Sequence, residues 1–83
     1  MERRICRRAK ADREVVLLQG SRLYRGQMTN RSDRGIMVSA RVRLDAGSAV
    51  GVHMTGEIMM TGHIRWVRKV SGCYDIGFML ERE

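Results

Sequence analysis

The chain is predicted to be all-β, a small six-stranded antiparallel β-barrel with little or no helix. Apolar residues recur with a period of two along most of its length, as half-buried strands require. The strand-like segments are short and are separated by small turns rich in Gly, Ser, Asn and Asp. No segment carries a convincing helical period. Closure into a barrel is expected because it removes the sheet edges that otherwise invite aggregation.

The first thirteen residues, Met1 to Arg13, are rich in Arg and Lys and lack an amphipathic period, which indicates a flexible basic tail. Residues 14–83 are then the barrel. Glu14 to Gln19 is a short apolar run ending at Gly20-Ser21, a first core strand. Arg22 to Asn30 follows as the second, and the brief Gly-Ser connection implies a hairpin. Thr29-Asn30-Arg31-Ser32-Asp33-Arg34-Gly35 contains no apolar residue and reads as a polar turn. Asn, Ser and Asp bend a backbone by bonding to nearby main-chain groups, and Gly tolerates positive φ.

From Gly35 to Arg41, Ile36, Val38 and Ala40 alternate with Met37, Ser39 and Arg41, the pattern of a half-buried strand. Leu44 to Ser48 is a connector. Ala49 to Thr55 alternates again, and Ile58 to Val70 forms a long strand with Ile58, Met60, Ile64 and Trp66 on one face. The phase slips after Trp66-Val67, as a bulge would cause. Ser71-Gly72 turns the chain into a last strand lined by Tyr74, Ile76, Phe78 and Leu80. His53 and His63 fall on strands that could be neighbours.

Eighty-three residues, 43% hydrophobic and 30% charged, allow one soluble domain with a modest core. No apolar run approaches the roughly 18 residues of a membrane span, and no apolar stretch after the basic start resembles a signal peptide. A cytoplasmic, bacterial-type setting is expected, with Cys6 and Cys73 as reduced thiols and no metal site. No Ser-His-Asp, Cys-His or paired-carboxylate arrangement stands out, so an enzyme is not expected. The net charge of +7 instead points to an anionic partner, either a nucleic acid, a phosphorylated small molecule or an acidic surface.

Within the tail, Arg3 and Arg7, and likewise Arg4 and Arg8, are spaced four apart. That spacing sets two guanidiniums on one side of the chain, where their forks can clamp phosphates or a guanine edge bidentately. The order of Arg-x-x-x-Arg, a strand or two, Asn-x-Ser-x-x-Gly, and strands ending in Ile-Arg-Trp-Val and Tyr-Asp-Ile-Gly-Phe resembles the PilZ domain family. The resemblance spans essentially the whole chain. It implies a barrel that binds the bacterial second messenger cyclic di-GMP, with no further cofactor. By position, the first family motif falls on Arg4 and Arg8 or on Arg3 and Arg7, the former suiting the distance to Val15 better. The second falls on Asn30, Ser32 and Gly35. Asn stands where the family often has Asp, and the chain stops where many relatives continue into a helix.

The residue chemistry suits this ligand. Guanine O6 and N7 accept a bidentate Arg, while the opposite guanine edge needs acceptors such as the Asn30 carbonyl. Ser32 can serve a neighbouring edge or phosphate. Gly35 either lets the backbone come close or takes a positive φ. The expected function is that of a receptor module whose tail folds over the ligand and changes the surface met by a downstream protein partner. Two alternatives remain open. One is a small basic barrel that binds nucleic acid, against which the aromatics, assigned to strand faces, leave few stacking platforms. The other is a ligand-free PilZ-type adaptor.

Overall fold

Val15 and Leu17, both fully buried, set the inward face of the first strand, and the alternation continues around the molecule. The computed structural model describes residues 13–81, which form six strands and no helix. These are β1 (Arg13–Gln19), β2 (Arg22–Arg31), β3 (Gly35–Ala40), β4 (Ala49–Met54), β5 (Met60–Val70) and β6 (Cys73–Glu81). All neighbours are antiparallel and the sheet closes in the order β1-β2-β3-β6-β5-β4. The expected barrel is the observed one.

The core is aliphatic, with Val15, Leu17, Met28, Ile36, Val38, Val50, Val52, Met54, Ile64, Ile76 and Phe78 converging inside the barrel. Leu44, from the β3–β4 connection, is buried as a plug. Its loop is held to β5 by Gly47 N–H donating to the Ile64 carbonyl at 2.8 Å and Ile64 N–H donating to Ser48 at 3.0 Å. Two-residue turns join β1 to β2 at Gly20-Ser21 and β5 to β6 at Ser71-Gly72. Both residues of the second turn have positive φ, 44° and 83°, the primed-turn geometry that matches strand twist.

Two bulges depart from the sequence expectation. In β5 the extra residue is Arg65: Ile64 pairs with Phe78 and Trp66 pairs with Gly77. The slip therefore comes before Trp66, not after it, and Trp66 leaves the face of Ile64 for the outside of the barrel, 41% exposed. Ile58, expected on the same inward face, precedes β5 and is 81% exposed. In β2 a second bulge falls at Thr29, because Met28 pairs with Val38 while Asn30 pairs with Met37.

Other expectations are also corrected. His63 lies opposite Ala49 and Met79, whereas His53 lies opposite Val16, so the histidines do not pair across the ladder. Cys73 is buried and disulfide-bonded rather than a reduced thiol, and Cys6 lies outside the described residues. Among the described residues no helix is long and apolar enough to cross a membrane.

Candidate functional site

A polar corner forms where β2 turns into β3. Thr29 to Arg31 belong to β2 and Gly35 opens β3, so the turn is shorter than the polar run. Ser32 N–H donates to the Gly35 carbonyl at 2.9 Å and closes it. Leu80 N–H donates to the Arg34 carbonyl at 2.8 Å, which pins the turn to β6. Gly35 does not take a positive φ. Its role is close approach: a Cβ there would collide with the carbonyl oxygen of Phe78. The contact is with β6, so Gly35 lets the corner lie down on the neighbouring strand.

The two bulges together build the site. In β2, Thr29 and Asn30 oppose the single residue Met37; in β5, Arg65 and Trp66 oppose Gly77. Met37 in turn pairs with Gly77. Asn30, Met37, Gly77 and Trp66 therefore form one transverse row across β2, β3, β6 and β5. An open hollow of about 230 Å³ lies over this row, and Arg31, Ser32, Gly35 and Arg65 are among the other residues of its wall. Of the sequence-predicted residues, Asn30, Ser32 and Gly35 are thus brought together. Arg3, Arg4, Arg7 and Arg8 lie outside the described residues.

Trp66 is the residue that sequence reasoning missed. A Cβ on Gly77 would overlap the indole ring, so the ring rests directly on the glycine backbone. The Arg68 guanidinium lies 5.5 Å from the ring centroid, a cation–π contact, and also donates to the buried Asp75 carboxylate at 3.2 Å. The clue in the sequence was Gly77, placed where a large side chain could be laid across it. The Asn30 side chain is already oriented, since its Oδ1 accepts the Arg31 N–H at 2.8 Å. A carbonyl oxygen has a second lone pair, and the amide NH₂ remains a donor.

Arg31, in phase with inward-facing Met28 and Ile36, turns over the barrel rim to Glu57 in the β4–β5 connection. Its Nη1 and Nη2 donate to Glu57 Oε2 and Oε1 at 3.0 and 3.4 Å. Arg13, the first residue of β1, donates to the same Oε2 at 2.8 Å. One carboxylate thus joins the start of β1 to the end of β2. The Arg31 hydrogen bond, seconded by that of Arg13, holds the Glu57 carboxyl below the usual carboxylate range, and Glu57 raises Arg31 in return.

The PilZ domain family model matches residues 2–82, nearly the entire chain, and the chain belongs to that family. No curated protein matches it. PilZ domains are binding and receptor modules of a cyclic di-GMP-binding family, and PilZ is not a known enzyme family.

Proposed function

We propose that this PilZ domain binds cyclic di-GMP in the hollow over Asn30, Gly77 and Trp66. The basic arm, Arg4 and Arg8 foremost, folds over the ligand and thereby changes the surface offered to a protein partner in a bacterial cytoplasm. The observation that carries the reading is the shared carboxylate. Arg13, from which the arm departs, and Arg31, next to Asn30, both bind Glu57 Oε2. The root of the arm is therefore at the same end of the barrel as the polar corner, which supports a reach from one to the other.

The sizes agree. At about 230 Å³ the hollow is smaller than the ~300–1,000 Å³ of a typical ligand pocket, so it seats one base, and the rest of a dinucleotide needs another wall. The arm is that wall. Ordering about five of its residues costs roughly 5–10 kcal/mol. Charge-assisted hydrogen bonds return about 1.5–3 kcal/mol each, and a base stacked on Trp66 about 1–3 kcal/mol. The surplus is compatible with a micromolar constant, about −8 kcal/mol. Titration calorimetry with cyclic di-GMP tests the reading. Binding that is lost in Arg4→Ala plus Arg8→Ala supports it; no heat, or unchanged affinity in that variant, overturns it.

Exposed Trp66 also favours a second reading, a basic barrel that binds single-stranded nucleic acid. A single platform gives one stacked base, whereas strand-binding proteins stack successive bases. Affinity that grows with oligonucleotide length and falls steeply with salt would select this alternative.

A further inference from the structure

We infer that Cys6 and Cys73 form a disulfide that clips the basic arm across the outer face of β3 and β6, and that this bond couples ligand affinity to redox state. The bond follows from the barrel's own residues; the coupling rests on the cyclic di-GMP reading.

Cys73 is disulfide-bonded, and no described cysteine is free. The chain has two cysteines, so within one chain the other half of the bond is Cys6. The burial pattern points the same way. In β6, Ile76, Phe78 and Leu80 face the core, and alternation turns Cys73 and Asp75 outward. In β3, Val38 and Ala40 face the core, and Ser39, paired with Asp75, faces out. All three outward residues are nonetheless 1% exposed. Arg68, ion-paired to Asp75, is itself largely exposed and is a thin cover for such a patch. The β3–β4 connection is committed elsewhere, its Leu44 plugging the barrel and its Gly47-Ser48 end bonded to β5. The segment before Arg13 is the occupant that can supply the rest.

The strand register puts Cys73 within reach. Arg13 pairs with Met28, Met28 with Val38 and Val38 with Ile76, so the arm leaves the barrel three strand spacings from Ile76. Three spacings are roughly 14 Å around the barrel, and Cys73 lies about 10 Å further along β6. The diagonal is about 18 Å, whereas the steps from Cys6 to Arg13 span up to about 23–25 Å when extended. It passes over Ser39 and ends beside Asp75, the outward residues that are covered. Ser39 and Asp75 lie two positions along from Met37 and Gly77, which line the hollow. Arg7 and Arg8, directly after Cys6, are thereby held beside it. An arm already held there has lost part of the freedom that binding must otherwise remove, so the oxidised form binds more tightly. Oxidation is an exchange: the two thiols hand two electrons and two protons to a small-molecule disulfide such as oxidised glutathione. The Cys6–Cys73 S–S bond forms as that of the oxidant breaks into two thiols. In a reducing compartment such a bond is a sensor and not a permanent staple.

The test uses the full chain, either reduced with dithiothreitol or oxidised with glutathione disulfide. Non-reducing peptide mapping of the oxidised chain should recover Cys6 linked to Cys73 in a monomer, with no thiol left to titrate after denaturation. Free thiols, a glutathione adduct or a bond between two chains would overturn the proposal. In calorimetry with cyclic di-GMP, the oxidised chain is expected to bind about ten-fold more tightly than the reduced one, the factor for ordering about one residue. Cys6→Ser, which leaves the buried Cys73 in place, should bind like the reduced chain with or without oxidant. Equal affinity of the oxidised and reduced chains, or a redox response that persists in Cys6→Ser, overturns the coupling. Mapping needs no ligand and so separates the two readings. A Cys6–Cys73 bond in a chain that does not bind cyclic di-GMP leaves the clip standing and the receptor reading fallen. Binding of cyclic di-GMP by a chain in which Cys6 never bonds to Cys73 gives the reverse.

Discussion

Asn30 and Trp66, far apart in sequence, stand at the two ends of one row across four strands, Asn30 opposite Met37, Met37 opposite Gly77, and Gly77 opposite Trp66. Each end of the row is supplied by a bulge. Without the extra residue in β5, the period of two would carry Trp66 inward, where the core is already filled by Ile64, Ile76 and Phe78.

Gly77→Ala should disturb this row most directly. The new Cβ overlaps the indole, and the ring has to leave its seat on β6. A stability loss of about 1–3 kcal/mol is expected from the overpacking, together with a shift in tryptophan emission. Urea denaturation followed by fluorescence measures both; an unchanged spectrum would mean the ring is seated elsewhere.

Trp66→Ala separates binding from folding. The side chain is part-exposed on the outside of the barrel, so cooperative unfolding should be retained. Loss of a stacked base costs about 1–3 kcal/mol of binding, read by calorimetry with cyclic di-GMP.

At the corner, Gly35→Ala meets the Phe78 carbonyl, which is backbone and cannot swing aside as a side chain would. The β3–β6 ladder must part at its Gly35–Met79 end. Faster amide exchange at Leu80, whose N–H is held by Arg34, is the expected signature.

In the core, Leu17→Ala removes a fully buried side chain from the centre of β1. About 2–5 kcal/mol is the usual cost, against about 5–15 kcal/mol for a whole domain. A large drop in melting temperature should follow, and a small one would indicate that Tyr24 and its neighbours collapse into the space.

Acid should release the rim. The folded Glu57 carboxyl titrates below its unfolded value because Arg31 and Arg13 favour the ionised form. Its contribution to stability is present above the ordinary glutamate value, about 4.3, and is lost as pH falls through the lower folded value. Carboxyl NMR titration of Glu57 should give a midpoint below that of an unstructured glutamate. In Arg31→Ala the midpoint should rise, since Arg31 is the larger cause.

The barrel was legible in the chain because period two is a local property. Val15 and Leu17, Ile36 and Val38, and Ile76 and Phe78 each declare a face without reference to any other strand. The corner was legible for the same reason: Asn30, Ser32 and Gly35 lie within six positions of one another, although Gly35 acts by approaching Phe78 and not through its dihedral freedom. The Trp66 face was misread because a bulge is a property of a pair of strands, set by the partner's register, and the neighbouring run Ile64-Arg65-Trp66-Val67 fits either phase.

Alternation and turn chemistry, then, determined that this chain makes a six-stranded antiparallel barrel with a polar corner between its second and third strands. Tertiary structure alone decided that Trp66 and Arg65 share that corner's hollow, and that Glu57 joins Arg13 to Arg31. Strand neighbours and their register bring these groups together, and contacts between residues remote in sequence leave no periodic trace in any one segment.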